Sequence, residues 1–284
     1  MKKLVHFFLF CFLFFATQGF CDANEKMSFW QTPQNGTNYD ESLPIVDPKF
    51  ATYAKKNNCS FIYSTIYGGW RHDVRRLNYI TSLLNYARKN NLKVVVALPV
   101  IACIPEMNYE DALREEWTKI VNKLKDCPEV VAYSIPSFKS SKFSESFHKK
   151  VVTEIRKIDP STPIILRWKN SKMDAIKEKN ILYGFGPRIV CPEDQDPNGE
   201  PNSSVIDALN QQFRQAKGKL NSLGIWAKQN GVLPEQILIS YYGTIWGYGP
   251  ALKIDKAELD SFLEIIKANG WHRSYTYDTY MILK

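Results

Sequence analysis

The feature that most constrains the fold is an alternation of two hydrophobic patterns. Short β-branched or aromatic runs alternate with longer runs that repeat an apolar residue every three or four positions. The strand-like runs lie at 27–33, 60–67, 92–100, 130–137, 163–169, 181–186, 236–243 and 272–278. Helical patterns lie near 47–58, 74–91, 109–126, 144–158, 173–179, 203–230 and 255–269, and Asn-Gly is predicted to end the last two.

Eight strands that alternate with helices predict an α/β fold, and the (β/α)8 TIM barrel in particular. An open, doubly wound sheet is the alternative, but no glycine-rich phosphate turn follows the first strand. We expect a single barrel domain over 24–284. Only six residues follow the last strand pattern, so the closing helix is expected to be reduced or absent.

The first 23 residues resemble a secretory signal peptide. Lys2 and Lys3 precede an apolar stretch over 4–16, which is followed by small and polar residues. That stretch is shorter than a membrane-spanning helix needs. We therefore expect a secreted or periplasmic protein, with a retained anchoring helix as the alternative.

Four cysteines remain after residue 23, a number that fits disulfide formation in an oxidising compartment. Cys59 and Cys127 precede strands two and four, whereas Cys103 and Cys191 follow strands three and six. Strand direction therefore predicts the pairs Cys59–Cys127 and Cys103–Cys191, one at each end of the barrel. No CxxC spacing or zinc-like histidine spacing occurs, so we predict no metal and no cofactor.

Positive charge is spread along the chain. The formal net charge is +8, but lysines and arginines are scattered over helical segments such as "YARKNN" and "KIVNKLK". This distribution indicates solvated helix faces and argues against a nucleic-acid partner or stable membrane insertion. We expect a monomer.

A barrel of this kind carries its site at the carboxyl ends of the strands. Three tryptophans fall there and are predicted to stack on sugar rings, namely Trp70, Trp168 and Trp246. Arg188, Tyr241 and Asp278 are predicted to bond sugar hydroxyls, and Tyr277 is predicted to contribute to the same binding surface. Packing in the core is the alternative for the aromatic residues, and it is the prediction for Trp117 and Trp226, which lie within helical patterns.

Several phrases in order resemble glycoside hydrolase family 5, the cellulase-like retaining barrels. They include "NGTNYDE", "YARKNNLKVVVALPV", "VVTEIRKIDPSTPIILRW", "WAKQNGVLPEQILISYYG" and "FLEIIKANGWHRSYTYD". The likeness covers nearly all of 24–284 and implies a barrel with a carbohydrate site. It also implies two catalytic glutamates, one in Asn-Glu-Pro after the fourth strand and one in Gly-Glu-Phe-Gly after the seventh.

Both glutamates are missing from the matching phrases. Ser137 and Phe138 stand after the fourth strand, or Ile135 and Pro136 if the alignment is shifted, and Tyr241 stands in "SYYG" after the seventh. A retaining glycosidase needs two carboxyl groups about 5 Å apart. The resemblance therefore implies the fold and carbohydrate binding, but it transfers no catalytic residue.

Three functions remain open at this point. The favoured one is a secreted barrel that binds an oligo- or polysaccharide without the family's hydrolytic mechanism. The second is an active O-glycosyl hydrolase that uses the relocated carboxylates of Glu106, Glu193 and Asp194, with Tyr241 as an aromatic nucleophile or positioning group. The third is a protein-binding scaffold with exposed aromatic residues.

Overall fold

A computed structural model describes residues 28–31, 61–65, 74–98, 109–135, 147–185, 188–190, 203–240, 242–244 and 256–274. Ten strands lie in these ranges: β1 (Ser28–Gln31), β2 (Phe61–Thr65), β3 (Lys93–Ala97), β4 (Val130–Ile135), β5 (Ile164–Arg167), β6 (Ile181–Phe185), β7 (Arg188–Val190), β8 (Ile237–Ser240), β9 (Tyr242–Thr244) and β10 (His272–Ser274). Five α-helices accompany them: α1 (Val74–Lys89), α2 (Tyr109–Leu124), α3 (Phe147–Ile158), α4 (Ser203–Asn230) and α5 (Lys256–Ala268).

Eight of the strands form one parallel sheet in the order β1-β2-β3-β4-β5-β6-β8-β10. Each of the eight predicted strand patterns contains one of them, so the predicted alternation is confirmed for the sheet. β7 and β9 form a separate parallel pair. Among the described strands, the pairings link β1 to β10 through the six strands between them, but no pairing joins β1 directly to β10. The described part is therefore a curled half-barrel.

Contacts among the inward-facing side chains of distant strands show that the sheet is curled. Val95 of β3, Ala132 of β4, Ile165 of β5 and Leu238 of β8 form one buried cluster on the inner face of the sheet. β3 and β8 are four positions apart in the sheet, and side chains that far apart meet only if the sheet bends around them.

The larger core lies between the outer face of the sheet and the helices. Strand residues alternate between the two sides, as the period of two requires: Val94 and Val96 join the outer core, whereas Val95 joins the inner cluster. Trp117 and Trp226 are fully buried in the outer core, which confirms the prediction that both serve packing.

The helix predicted over 173–179 is wrong. This connection between β5 and β6 has no helix along its length, although Met173 and Ile176 pack against the outer core as an apolar helix face would. The Ile176 N–H donates to the Tyr183 hydroxyl at 2.7 Å, and the Trp226 indole N–H donates to the Met173 carbonyl at 2.7 Å. A seven-residue helix is barely longer than its own nucleus, and here side chains satisfy the backbone instead.

The other predicted helices that fall in the described ranges are confirmed, and α4 has the predicted bounds. The helix predicted near 47–58 lies outside the described residues. The predicted Asn-Gly ends are also confirmed, because Gly231 and Gly270 both have φ of 66° and follow α4 and α5. The Val232 N–H donates to the Ala227 carbonyl at 2.9 Å, which closes the α4 terminus in the Schellman pattern.

A polar network holds the amino-terminal end of β5 and explains the phrase "IRKIDPSTP". The Arg156 guanidinium donates to the carbonyls of Thr162 at 2.7 Å and Asn180 at 3.2 Å. The Asp159 carboxylate accepts hydrogen bonds from the Thr162 N–H at 3.0 Å and from the Tyr133 hydroxyl at 3.1 Å. These bonds join α3 to the first residues of β5 and β6 and to the outer face of β4.

Cys127 corrects the predicted disulfide Cys59–Cys127. It is a free thiol in the turn between α2 and β4, where it packs half-buried against the outer core. Burial, the main cause, raises the pKa of the Cys127 thiol, so the neutral and less reactive form is favoured. Cys59, Cys103 and Cys191 lie outside the described residues, so the pair Cys103–Cys191 stays a prediction.

None of the helices that the structure describes is both long and apolar enough to cross a membrane. Within the same ranges, no group of three or more His, Cys, Asp or Glu residues has an arrangement that fits a metal ion.

Candidate functional site at the carboxyl ends of the strands

The residues that face the barrel interior near the carboxyl ends of β3 to β6 follow from the alternation. They are Ala97, Ser134, Arg167 and Gly184, each two positions after an inner residue of its own strand. Ser134 is a buried polar residue with 4% exposure, and Arg167 is half-buried. The four described strand ends therefore present one hydroxyl and one guanidinium to the interior and no carboxylate.

On the β6 side, the residue paired with Arg167 has no side chain. This register partner is Gly184, which pairs in turn with Leu238 of β8. A Cβ atom on Gly184 would lie 3.0 Å from the Ile165 Cγ2 atom, so a larger residue would be crowded at this point. The glycine therefore keeps the inner face of β6 free of a side chain beside Arg167.

Trp168 follows β5 directly and was predicted to stack on a sugar ring. The structure places it at the carboxyl end of β5, where its backbone N–H donates to the Gly184 carbonyl at 2.8 Å. Its side chain, however, is 4% exposed and packs in the outer core, with ring-centroid distances of 5.7 Å to Phe185 and 6.2 Å to Trp226. Neither ring face of Trp168 is open to solvent in this arrangement.

The Trp168 indole N–H is buried and has no hydrogen-bond partner among the described residues. A buried donor without an acceptor costs about 1–3 kcal/mol, so a stable fold rarely keeps one without a reason. The indole lies on the helix side of the sheet, opposite to Arg167. We therefore assign Trp168 to packing in the outer core behind the site, and not to the inner surface that would contact a ligand.

Arg188 is the first residue of β7 and lies in the β7–β9 pair. β7 begins three residues after the end of β6, and β9 begins two residues after the end of β8. In this pair Arg188 stands opposite Tyr242, the residue after Tyr241. The backbone thus places Arg188 just beyond the carboxyl end of β6.

The remaining candidates lie outside the described residues. They are Trp70, Glu106, Glu193, Asp194, Tyr241 itself, Trp246, Tyr277 and Asp278. Their roles stay predictions, and so does the expectation that Trp70, Trp168 and Trp246 share one face of the barrel.

Sequence reasoning missed Ser134 and Arg167. Both lie inside runs that were interpreted only as strands, "VVAYSIPS" and "PIILRWK". The signal was available in the alternation, because Arg167 is two positions after Ile165 and shares its side of the strand. A charged residue in phase with an inward apolar residue, at the end of a barrel strand, marks a position at the mouth.

Two buried titratable groups with shifted pKa values, Tyr133 and Asp159, lie away from these strand ends. Burial, followed by the charge of and the bond to Asp159, raises the pKa of the Tyr133 hydroxyl far above its usual value. Burial alone would raise the pKa of the Asp159 carboxyl, but the hydrogen bonds from Thr162, Ser161 and Tyr133 outweigh it and the pKa is lowered. Both groups belong to the network at the amino-terminal end of β5, where perturbed pKa values reflect structure and not catalysis.

No protein-family model matches the chain, and no curated protein is similar to it in sequence. Solved structures do match. The endoglucanase Cel5A from the hyperthermophilic Thermotoga maritima aligns over 92% of this chain and 91% of its own, with a TM-score of 0.63 and 15% identity. Endo-glycoceramidase II from Rhodococcus sp., solved as a lactosyl-enzyme intermediate, aligns over 88% of this chain and 72% of its own, with a TM-score of 0.59 and 11% identity.

A Bacteroidetes-affiliated GH5 cellulase linked with a polysaccharide utilization locus also aligns, over 93% of this chain and 83% of its own, with a TM-score of 0.55 and 11% identity. The chain has the fold of the glycoside hydrolase family 5 barrels. The resemblance inferred from its sequence phrases is thereby confirmed for the fold. At 11–15% identity this likeness concerns the backbone, and the chemistry of the GH5-like barrel has to be argued from its own residues.

Proposed function

We propose that this GH5-like barrel binds an oligo- or polysaccharide at the carboxyl ends of its strands and does not use the family's hydrolytic mechanism. The observation that carries the proposal is the chemistry at the carboxyl ends of β3 to β6. Ala97, Ser134, Arg167 and Gly184 supply hydrogen-bonding groups and space, but no carboxylate for acid catalysis or for nucleophilic attack.

The sequence supports the same conclusion at the positions that matter most. After the fourth strand, Ser137 and Phe138 replace the expected acid, and after the seventh, Tyr241 replaces the expected nucleophile. A phenylalanine ring has no proton to donate, and a serine hydroxyl is far too weak an acid near neutral pH. A tyrosine hydroxyl has a reference pKa of about 10, so it is a poor nucleophile unless a base activates it.

The proposed contacts combine aromatic and polar groups. Trp70 and Trp246 would stack on the apolar C–H faces of sugar rings, and Tyr277 would extend that surface. Arg188, Tyr241 and Asp278 would bond hydroxyl groups. Trp168 would support the site from beneath. We also propose that the signal peptide directs the barrel to the periplasm or the exterior, and that it acts there as a monomer.

The solved structures favour one rival, because those named above are an endoglucanase, an endo-glycoceramidase and a cellulase. In this rival the carboxylates of Glu106, Glu193 and Asp194 would take over catalysis, with Tyr241 as the partner of one of them. A binding surface for another protein would be the third possibility, since exposed aromatic residues serve it equally well.

The deciding experiment measures binding and turnover on the same purified protein. We expect soluble β-glucans or mannans to retard the protein in affinity electrophoresis, and Trp246→Ala to weaken that binding. The matched control is Trp117→Phe, which changes a tryptophan buried in the outer core and leaves the proposed surface intact. Thermal melting of each variant separates lost binding from lost folding.

In the same preparation we expect no release of reducing sugar. Loss of general acid catalysis alone costs about 10²–10⁴ in rate, and the nucleophile is absent as well. Turnover of about 1 s⁻¹ or faster, in the ordinary enzyme range, would overturn the proposal. If that turnover disappeared in Glu106→Gln or Glu193→Gln, the relocated-carboxylate enzyme would replace it.

A further inference from the structure

Positive charge is concentrated at the carboxyl end of β5 and at the start of β7, which follows the carboxyl end of β6. Arg167 is the last residue of β5 and faces the barrel interior, and Lys169 follows two positions later and is exposed. The backbone places Arg188 at the start of β7, just beyond the end of β6. No carboxylate occurs among the residues that the structure describes at these three strand ends, over 167–170, 184–185 and 188–190.

The interior position of Arg167 distinguishes it from the scattered surface cations of this basic chain. A half-buried guanidinium is less screened by salt than an exposed one, so it attracts an anion more strongly. Gly184 leaves the β6 side of Arg167 without a side chain, and Ser134 supplies a hydroxyl from the adjacent strand β4. The guanidinium fork also matches the two oxygens of a carboxylate or of a sulfate ester.

From this arrangement we infer that the ligand of the barrel is an anionic carbohydrate, and that Arg167 binds its acidic group inside the mouth. Lys169 adds charge at the rim, and Arg188 lies on the next strand along the same edge. The inference rests on the proposed carbohydrate-binding function and names the class of sugar. A uronate carboxylate and a sulfate ester present the same chemistry to Arg167.

The test compares ligands that share one backbone. Neutral β-1,4-linked glucan and mannan oligosaccharides are titrated against the full-length mature protein beside the same oligomers carrying either C6 carboxylates or sulfate esters. Affinities are measured by calorimetry at 50 and 300 mM salt. We expect the acidic oligomers to bind at least tenfold more tightly, and the carboxylate and sulfate series to show which acid fits better.

Two variants locate the contact. Arg167→Met keeps much of the side-chain length and removes the charge, and we expect it to weaken binding of the acidic oligomer by about tenfold to a hundredfold. Binding of the neutral oligomer should change by less than about threefold, because that oligomer has no acidic group for Arg167 to bind. Arg214→Met is the matched control, because it removes the same charge from an exposed position on α4 and should leave both affinities unchanged.

Arg167 already takes part in an interaction within the chain, so Arg167→Met is checked for folding by circular dichroism and thermal melting. If Arg167→Met does not fold, Arg167→Lys and the exposed Lys169→Met replace it in the affinity measurements. Each of them should reduce the preference for the acidic oligomer. Equal affinity for acidic and neutral oligomers would overturn the inference and leave the proposed function standing. An equal loss in Arg214→Met would also overturn it, because net charge would then explain the preference. Failure of every oligosaccharide to bind would overturn the proposed function itself.

Discussion

Removal of the Asp159 carboxylate tests the energetics of the amino-terminal network. Its Oδ2 atom accepts from the Tyr133 hydroxyl at 3.1 Å, and its Oδ1 atom accepts from the Thr162 N–H at 3.0 Å and the Ser161 N–H at 3.2 Å. In Asp159→Ala these donors lose a charged acceptor, so the buried Tyr133 hydroxyl no longer has the carboxylate to which it donates. We expect the protein to be destabilised.

The magnitude depends on which donors can reach water. Ser161 is exposed, so its groups exchange the carboxylate for solvent at little cost. Tyr133 is fully buried, so its hydroxyl carries an orphan-donor penalty of about 1–3 kcal/mol, and the lost Thr162 bond adds about 1.5–3 kcal/mol. The variant also no longer bears the desolvation cost of a buried carboxylate, which offsets part of these losses. The net loss in the free energy of unfolding is therefore about 2–4 kcal/mol.

Urea denaturation of four proteins measures this loss and its origin. They are the wild type, Asp159→Ala, Tyr133→Phe and the double variant. Tyr133→Phe alone should cost about 1 kcal/mol, and in its background Asp159→Ala should cost about 1–3 kcal/mol less, since no orphan hydroxyl remains. Asp174→Ala, which changes an exposed carboxylate in the β5–β6 connection, is the control and should stay within about 0.5 kcal/mol of the wild type.

The pH dependence of the same variants has a definite sign. The pKa of Asp159 is lowered in the folded protein, so its contribution is complete above the unfolded value of about 3.9 and is lost as pH falls through the folded pKa. The difference in stability between the wild type and Asp159→Ala should therefore narrow below about pH 4. A loss under 0.5 kcal/mol at pH 7, or additive costs in the double variant, would refute this account of the network.

Two further predictions concern packing and backbone conformation. Trp226→Phe should lower the free energy of unfolding by about 1–3 kcal/mol, because it removes the bond to the Met173 carbonyl and part of the ring contact with Tyr183, whose centroid lies 4.9 Å away. The neighbouring Ile225→Ala, at a side chain that is 59% exposed, should change it by less than about 0.5 kcal/mol; similar losses in both would contradict the packing role. Gly231→Ala should destabilise the protein by about 1–2 kcal/mol because φ is 66° at this position. Gly218→Ala, inside α4 where the new Cβ would meet nothing within 4 Å, should stabilise it by about 0.5–1 kcal/mol. Thermal melting that ranked the two variants in the opposite order would refute the conformational argument.

The fold-level predictions from sequence succeeded where a pattern is local and repeated. The eight strand patterns, the bounds of α4 and the Asn-Gly ends of α4 and α5 all depend on side chains within a few residues of one another. The phrases shared with family 5 barrels agreed with the fold because they record the same strand and helix order. Even Trp117 and Trp226 were placed correctly from their position within helical patterns.

What failed depended on contacts between distant segments. The 173–179 segment has an apolar helical period, but the Tyr183 and Trp226 side chains bind its backbone, so it is not helical. Trp168 stands at a strand end, as a sugar platform would, yet Phe185 and Trp226 enclose it. Cys127 remains a thiol, although strand direction placed it at the same end of the barrel as Cys59.

The sequence by itself determined the order of strands and helices, because hydrophobic period and helix-ending residues act over short distances. It also determined that the two family glutamates are absent from their phrases. Only the tertiary structure decided which side chains meet inside the barrel. Ser134, Arg167 and Gly184 come from three strands spread over fifty residues, and their juxtaposition exists only because parallel pairing brings the carboxyl ends of β4, β5 and β6 to one edge.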